Sequence, residues 1–243
     1  MARDKILTAD EAVKNIGDGA TVMVGGFMAC GSPEILIDAL VRKGSKNLTI
    51  ICNDAGVPGR GVGKLLSNGQ IRKLIASHVG LNPEVAERMN TADPERKLIA
   101  ELIPQGTLAE RIRCGSTGLG GFLTPTGVGT VIQGGTIADP NGGDDLITVE
   151  EKPVINVGGR DYLLEKPLHA DFALIRGNIT DKFGNTWYNG TTRTFNPMMA
   201  GAADYVIVGT VEVVEVGEIN PNDVVTSGIL VDAIVGGEKE WQI

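Results

Sequence analysis

With 243 residues and a formal net charge of −8, the chain is long enough for a substantial core in one large domain or two small ones, and its acidity argues against a nucleic-acid partner. Cys30, Cys52 and Cys114 are scattered thiols without CxxC or zinc spacing, which fits a reducing compartment and excludes a disulfide scaffold. There is no signal-peptide pattern and no apolar run of membrane-spanning length, so the expectation is a cytoplasmic protein.

Thr8-Ala9-Asp10-Glu11 is a capping box that opens a short helix, closed by Gly17-Asp18-Gly19. Thr21-Val22-Met23-Val24 then reads as a buried strand, and a turn bearing Gly25, Gly26 and Gly31 follows. Ser32 is the expected N-cap and Pro33 the first residue of a helix that stops near Lys43-Gly44. Leu48 to Cys52 is the second strand, ending in Asn53-Asp54-Ala55-Gly56, and a short helix is expected over Gly61 to Leu66. Leu74 to Ser77 is the third strand, ending at His78. Asn82-Pro83-Glu84 starts a helix whose apolar face is Val85, Ala86 and Met89. Lys97 to Ile103 is the fourth strand and leads through Pro104-Gln105-Gly106-Thr107 into another helix.

Four strand–helix alternations imply right-handed crossovers and an open, mostly parallel sheet flanked by helices, an α/β fold in which ligands lie beyond the carboxyl ends of the strands. The 25–31 turn, Asn53, His78 and Gln105 all fall at such ends. Residues 115–130 are too glycine-rich for regular structure. The segment 139–145 reads as an exposed acidic turn between strands. Short strands are expected at 153–157, 162–164, 172–175, 205–208 and 211–216, a hairpin end at 181–188, and a helix from Phe195 to Ala203. The last residues, 236–243, read as a loose tail. No linker divides the chain, so residues 1–243 are expected to form one domain.

A strand, a glycine turn and a helix start together present backbone N–H groups to an anion or oxyanion. The dinucleotide fingerprint fails here because Phe27 and Cys30 occupy glycine positions, and a Walker A loop would need lysine in place of Ser32. No metal-ligand motif, nucleophile elbow or Ser/His/Asp set is present, and no carboxylate stands out as a nucleophile.

Val24-Gly25-Gly26-Phe27 with Cys30-Gly31-Ser32-Pro33, then 103–113 (Ile-Pro-Gln-Gly-Thr-Leu-Ala-Glu-Arg-Ile-Arg) and 122–130 (Phe-Leu-Thr-Pro-Thr-Gly-Val-Gly-Thr), occur in order across most of the chain. In these motifs, over about residues 6–232, the chain resembles the alpha subunit of class I (3-oxoacid) coenzyme A transferases, in particular the bacterial acetate/butyrate–acetoacetate type. The resemblance implies a fold akin to sugar-phosphate isomerases and an α2β2 assembly with a beta subunit. It also implies ping-pong transfer of coenzyme A between an acyl-CoA and a short-chain carboxylate, through a glutamyl-CoA thioester on the beta subunit. The nucleophilic glutamate of that family lies in a Glu-Asn-Gly sequence, which this chain lacks. Coenzyme A is then a substrate, with no permanently bound cofactor and no metal. The resemblance places the oxyanion hole at Gly25, Gly26 and Phe27. Substrate contacts extend to Met28, Ala29, Cys30 and Gly31, with Asn53 and Gln105 near the reacting carboxyl. A non-enzymatic small-molecule-binding or regulatory module on the same fold is the alternative.

Overall fold

The computed structural model describes residues 4–138 and 146–240, the side chains of 136–138 and 146–149 excepted. The chain runs α1 (Ala9–Val13), β1 (Thr21–Val24), α2 (Glu34–Lys43), β2 (Leu48–Ile51), α3 (Val62–Ser67), β3 (Ile71–Ala76), α4 (Pro83–Asn90), β4 (Ile99–Leu102) and α5 (Gln105–Ser116). Short strands follow: β5 (Phe122–Thr124), β6 (Gly135–Ala138), β7 (Leu146–Val149), β8 (Val154–Val157) and β9 (Arg160–Glu165). The last third holds β10 (Ala170–Asp181), β11 (Thr186–Trp187), α6 (Asn196–Ala200), β12 (Ala203–Val214) and β13 (Ala233–Gly236).

The main sheet has the order β13-β12-β10-β1-β2-β3-β4, with every neighbouring pair parallel, and β11 pairs antiparallel with β10. The expected α/β architecture is therefore present. The strands are short apolar runs because both faces are covered. Val22 and Val24 of β1 face one core together with Leu36 and Leu40 of α2 and Leu65 of α3, while Met23 faces a second core with Leu108 of α5 and Met199 of α6. Each such aliphatic side chain, taken fully out of water, contributes about 1.5–3 kcal/mol.

Chain order runs outward from β1 to β4 and then returns to β10 on the other side of β1, where Val22 pairs with Ile50 on one flank and Phe172 on the other. The strand order thus reverses between β1 and β10, the place where open parallel sheets bind ligands. β10 and β12 stay paired as far as Asp181 and Val214, whereas β1 accompanies β10 only to Leu174. The two long strands therefore overhang the carboxyl edge.

Several local expectations change. Ser32 does not cap α2: Pro33 takes the cap position with no side-chain bond, and the Ile35 N–H donates instead to Glu238 Oε2 at 3.0 Å. The buried helix end is thus capped by a carboxylate from far along the chain. For the same reason the expected loose tail is fastened at least to Glu238, which is 5% exposed. In α4 the side chain buried beside Val85 is Arg88, which is held by Glu84, whereas Ala86 and Met89 face solvent. The glycine-rich 115–130 segment contains strand β5, paired with β9. The strands expected at 205–208 and 211–216 are one strand, β12, because pairing with β10 carries the chain through Gly209 and Thr210. The helix expected to reach Ala203 stops at Ala200. The acidic turn at 139–145 lies outside the described residues; β6 and β7 on either side of it pair antiparallel.

Burial pushes the Glu238 carboxyl above its ordinary value, against the opposing N–H donors of Ile35 and Lys239. The folded state then holds this proton more tightly than the unfolded one, so the group's contribution is most favourable at low pH and declines as pH rises through the unfolded value towards the folded one. Glu238→Gln keeps an acceptor for Ile35 and removes the titration. Thermal melts between about pH 4 and about pH 7 should show the wild-type Tm falling relative to the variant as pH rises; a constant difference would contradict this.

Candidate functional site

The 25–31 loop leaves β1 at the point where strand order reverses. The Gly25 N–H still bonds Leu174 O at 3.0 Å, so β10 holds the loop one residue past the strand. Phe27 and Cys30 then exchange both backbone bonds, at 2.9 and 2.8 Å, closing a two-residue turn over Met28 and Ala29. Both turn residues have positive φ, 50° and 65°, the conformation for which such hairpins ordinarily recruit Asn and Gly. For residues with a Cβ this costs roughly 1–2 kcal/mol each.

Two side chains hold the loop in place. Asp54, 6% exposed, accepts the Met28 N–H at 2.7 Å through Oδ2. Asn196, fully buried at the start of α6, accepts the Arg176 N–H at 3.0 Å and donates through Nδ2 to Gly31 O at 3.0 Å and Thr192 O at 2.9 Å. Glycine is required where these partners press closest. A Cβ on Gly25 would lie 1.7 Å from Asn196 Oδ1, and one on Gly31, where φ is +74°, would lie 2.4 Å from Thr192 O.

Beside the loop lies a largely apolar cavity of about 610 Å³, a size suited to a small-molecule ligand. Phe27, Met28 and Cys30 form one wall. Gln105 and Ala109 of α5 form a second, and a third comes from the segment that follows β11 and enters α6, where Phe195 and Met198 are the bulky members. Gln105 is the first residue of twelve-residue α5, so the positive end of the helix dipole adjoins the cavity. Its amide is exposed and has no hydrogen-bond partner among the described residues. A separate cavity of about 410 Å³ next to β8 and β9 is walled by charges that satisfy one another, including Lys152 with Glu165 at 2.5 Å and Arg111 with Glu101 at 3.5 Å.

Of the candidate residues read from the sequence, Phe27, Met28, Cys30 and Gln105 meet in the 610 Å³ cavity. Gly25, Gly26 and Ala29 lie beneath it, packed near Asp54. The three expected oxyanion donors are not equivalent. Gly25 and Phe27 have committed their N–H groups to Leu174 and Cys30, whereas the Gly26 N–H has no acceptor among the described residues. Asn53 stands behind the loop: it is 2% exposed, its Nδ2 donates to Asp54 Oδ2 at 2.8 Å, and its Oδ1 accepts from Ser77. Its amide is spent on structure and does not line the cavity. His78 is exposed at the end of β3. Burial, and then the neighbouring Asp54 charge, push the Cys52 thiol well up, which keeps it protonated. Among the described residues no group of His, Cys, Asp or Glu could hold a metal ion.

Asp54, Asn196, Phe195 and Met198 were not singled out from the sequence. Asp54 lay within the recognised strand-end turn 53–56, which was the available signal. Asn196 looked only like the start of a helix.

The coenzyme A transferase family matches residues 6–237. The chain belongs to the coenzyme A transferase family. It is 44% identical to the acetate CoA-transferase subunit alpha of Escherichia coli K12, over 98% of this chain and 99% of that one. To the acetoacetyl-CoA:acetate/butyrate CoA transferase alpha subunit of Clostridium acetobutylicum it is 46% identical, over 95% and 97%. Among solved structures, an acyl-CoA transferase of E. coli O157:H7, in a thioester complex with CoA, superposes with a TM-score of 0.79 at 25% identity. This transferase chain is covered completely by the match and spans 49% of that larger protein, about half its length. Glutaconate CoA-transferase of Acidaminococcus fermentans shares the fold, with a TM-score of 0.74 at 18% identity over 95% of this chain and 75% of that one. No helix among the described residues of this transferase is long and apolar enough to cross a membrane.

Proposed function

We propose that this chain is the alpha subunit of a cytoplasmic α2β2 transferase that moves coenzyme A between acetoacetyl-, butyryl- or acetyl-CoA and a short-chain carboxylate. The observation that carries the reading is the meeting, across one apolar cavity, of the 25–31 loop and the amide-bearing N-terminus of α5. Coenzyme A enters as a substrate and the nucleophile is a glutamate of the beta subunit. Its carboxylate oxygen attacks the thioester carbonyl and expels CoA thiolate, leaving an acyl-glutamyl anhydride. The thiolate then attacks the glutamyl carbonyl, releases the first carboxylate and forms the glutamyl-CoA thioester; the acceptor acid runs the sequence in reverse.

In this reading the chain contributes surroundings. The Gly26 N–H is the available backbone donor for the oxygen that becomes negative in the tetrahedral intermediate, and one such donor is worth roughly 3–4 kcal/mol. Gln105 and the dipole of α5 orient the carboxylate being released or taken up. Phe27, Met28, Phe195 and Met198 exclude water, which would otherwise hydrolyse the anhydride.

The test is CoA exchange from acetoacetyl-CoA to acetate or butyrate by the purified chain, alone and mixed with its beta subunit. Exchange is expected only in the mixture, and Gln105→Ala should lower kcat/KM there by roughly 10–100-fold, the loss of about 1.4–2.7 kcal/mol of transition-state stabilisation. Full exchange by the chain alone would overturn the assignment. No exchange in either case, together with tight binding of a small molecule by the chain alone, would favour a binding module.

A further inference from the structure

We propose that Asp54 is a positioning residue, whose carboxylate keeps the Met28-Ala29 turn closed and so sets where Phe27 and Met28 stand at the cavity and how Gly26 lies beneath it. The proposal rests on the transferase reading for its effect on rate, but not for its effect on the loop.

The turn is closed by the two Phe27–Cys30 backbone bonds, but against backbone strain. Met28 and Ala29 both have positive φ, at 50° and 65°, and neither is glycine. Hairpin turns of this kind are usually Asn-Gly or Gly-Gly because a Cβ is disfavoured there. An external anchor helps offset that strain, and Asp54 supplies one across 26 positions of sequence. Its Oδ2 takes the Met28 N–H at 2.7 Å and Asn53 Nδ2 at 2.8 Å, while Oδ1 takes the Gly56 N–H at 2.9 Å. Asn53 is fixed in turn by the Ser77 hydroxyl, 2.8 Å from Asn53 O. The chain of contacts runs from the end of β3, through the end of β2, to the tip of the loop after β1. Three adjacent strand ends are thus tied at one carboxylate. Asp54 does not line the 610 Å³ cavity, so it acts through the loop and not on a ligand.

Two readouts separate this role from a general structural one. The Cys30 N–H closes the turn onto Phe27 O at 2.8 Å, so its hydrogen exchange reports turn opening. In Asp54→Ala, Cys30 exchange is expected to quicken by roughly tenfold or more. In the complex with the beta subunit, kcat should fall by roughly 10–100-fold with KM within about threefold. Adding Ala29→Gly should slow Cys30 exchange again and return at least about threefold of kcat, because glycine takes positive φ without strain. Ala29 is 3% exposed and does not line that cavity, so its methyl group is not itself a ligand contact.

Unchanged Cys30 exchange in Asp54→Ala would overturn the proposal, and so would a loss of kcat that Ala29→Gly does not relieve. If Asp54→Ala does not fold, Asp54→Asn decides by the same readouts: an amide offers one acceptor oxygen where the carboxylate offers two, so its effects should have the same sign and smaller size. If the wild-type complex transfers no CoA, the transferase reading fails, and exchange at Cys30 with its rescue by Ala29→Gly still decides whether Asp54 holds the turn.

Discussion

Gly25→Ala is expected to lose CoA transfer completely and to destabilise the fold by about 3 kcal/mol or more, at the upper end of what overpacking costs. Gly25 does not have positive φ, so alanine could adopt its backbone conformation and the penalty is one of space. The new Cβ would lie 1.7 Å from Asn196 Oδ1. That oxygen is fixed, because Asn196 is fully buried and engaged with Arg176, Gly31 and Thr192. Either the loop leaves β10, breaking the Gly25–Leu174 bond, or α6 shifts and the cavity wall bearing Phe195 and Met198 moves with it. Denaturant melts of Gly25→Ala in wild-type and Asn196→Ala backgrounds check the cause. The alanine at 25 should cost much less once the clashing atom is gone, a coupling of the size that direct contact allows. A cost below about 1 kcal/mol in the wild-type background would show that the loop yields easily.

Asn196→Asp should be nearly as damaging, and its damage should depend on pH. The two shapes are alike, but Nδ2 now donates to two carbonyl oxygens, Gly31 O at 3.0 Å and Thr192 O at 2.9 Å. A carboxylate would turn lone pairs and a charge towards them in a fully buried place, a defect worth about 3–5 kcal/mol. The protonated acid can donate to one of the carbonyls, so the folded state should bind the proton more tightly than the unfolded chain. The variant's deficit should therefore be smallest at low pH and grow as pH rises through the unfolded Asp value of about 3.9 towards the raised folded one. Thermal melts across that range, read against wild type, check this; a deficit independent of pH would mean that the site admits water.

Features with local causes were legible in the sequence. The capping box at Thr8, the Asn82-Pro83 helix start, β1 and the glycine turn after it each depend on neighbours a few positions apart, and the structure has all of them. Gln105 was legible as a residue at the carboxyl end of a strand, where a helix begins, but its place near the reacting carboxyl came only from the family resemblance. What could not be read is carried by distant partners. Asn196 matters through Gly31, 165 positions away, and Glu238 through Ile35, 203 positions away. Gly209 looked like a break between strands because glycine ordinarily punctuates them, yet its place beside Arg176 in the β10–β12 ladder overrides that preference. Asn53 was placed correctly at a strand end, but nothing local says which way an amide points when its acceptor, Asp54, is the next residue.

The position of β1 between β2 and β10 also affects the order in which the protein can be assembled on the ribosome. Thr21 receives its cross-strand carboxylate from Asp171, 150 residues later. At about 5–20 residues per second, the second flank of the central strand is synthesised roughly 8–30 s after the first residues of that strand. During that interval β1, β2, β3 and β4 can associate through their own helices, while the apolar edge of β1 has no strand to pair with and is open to other nascent chains. Growth conditions that slow elongation lengthen this exposure without changing a single contact of the finished fold.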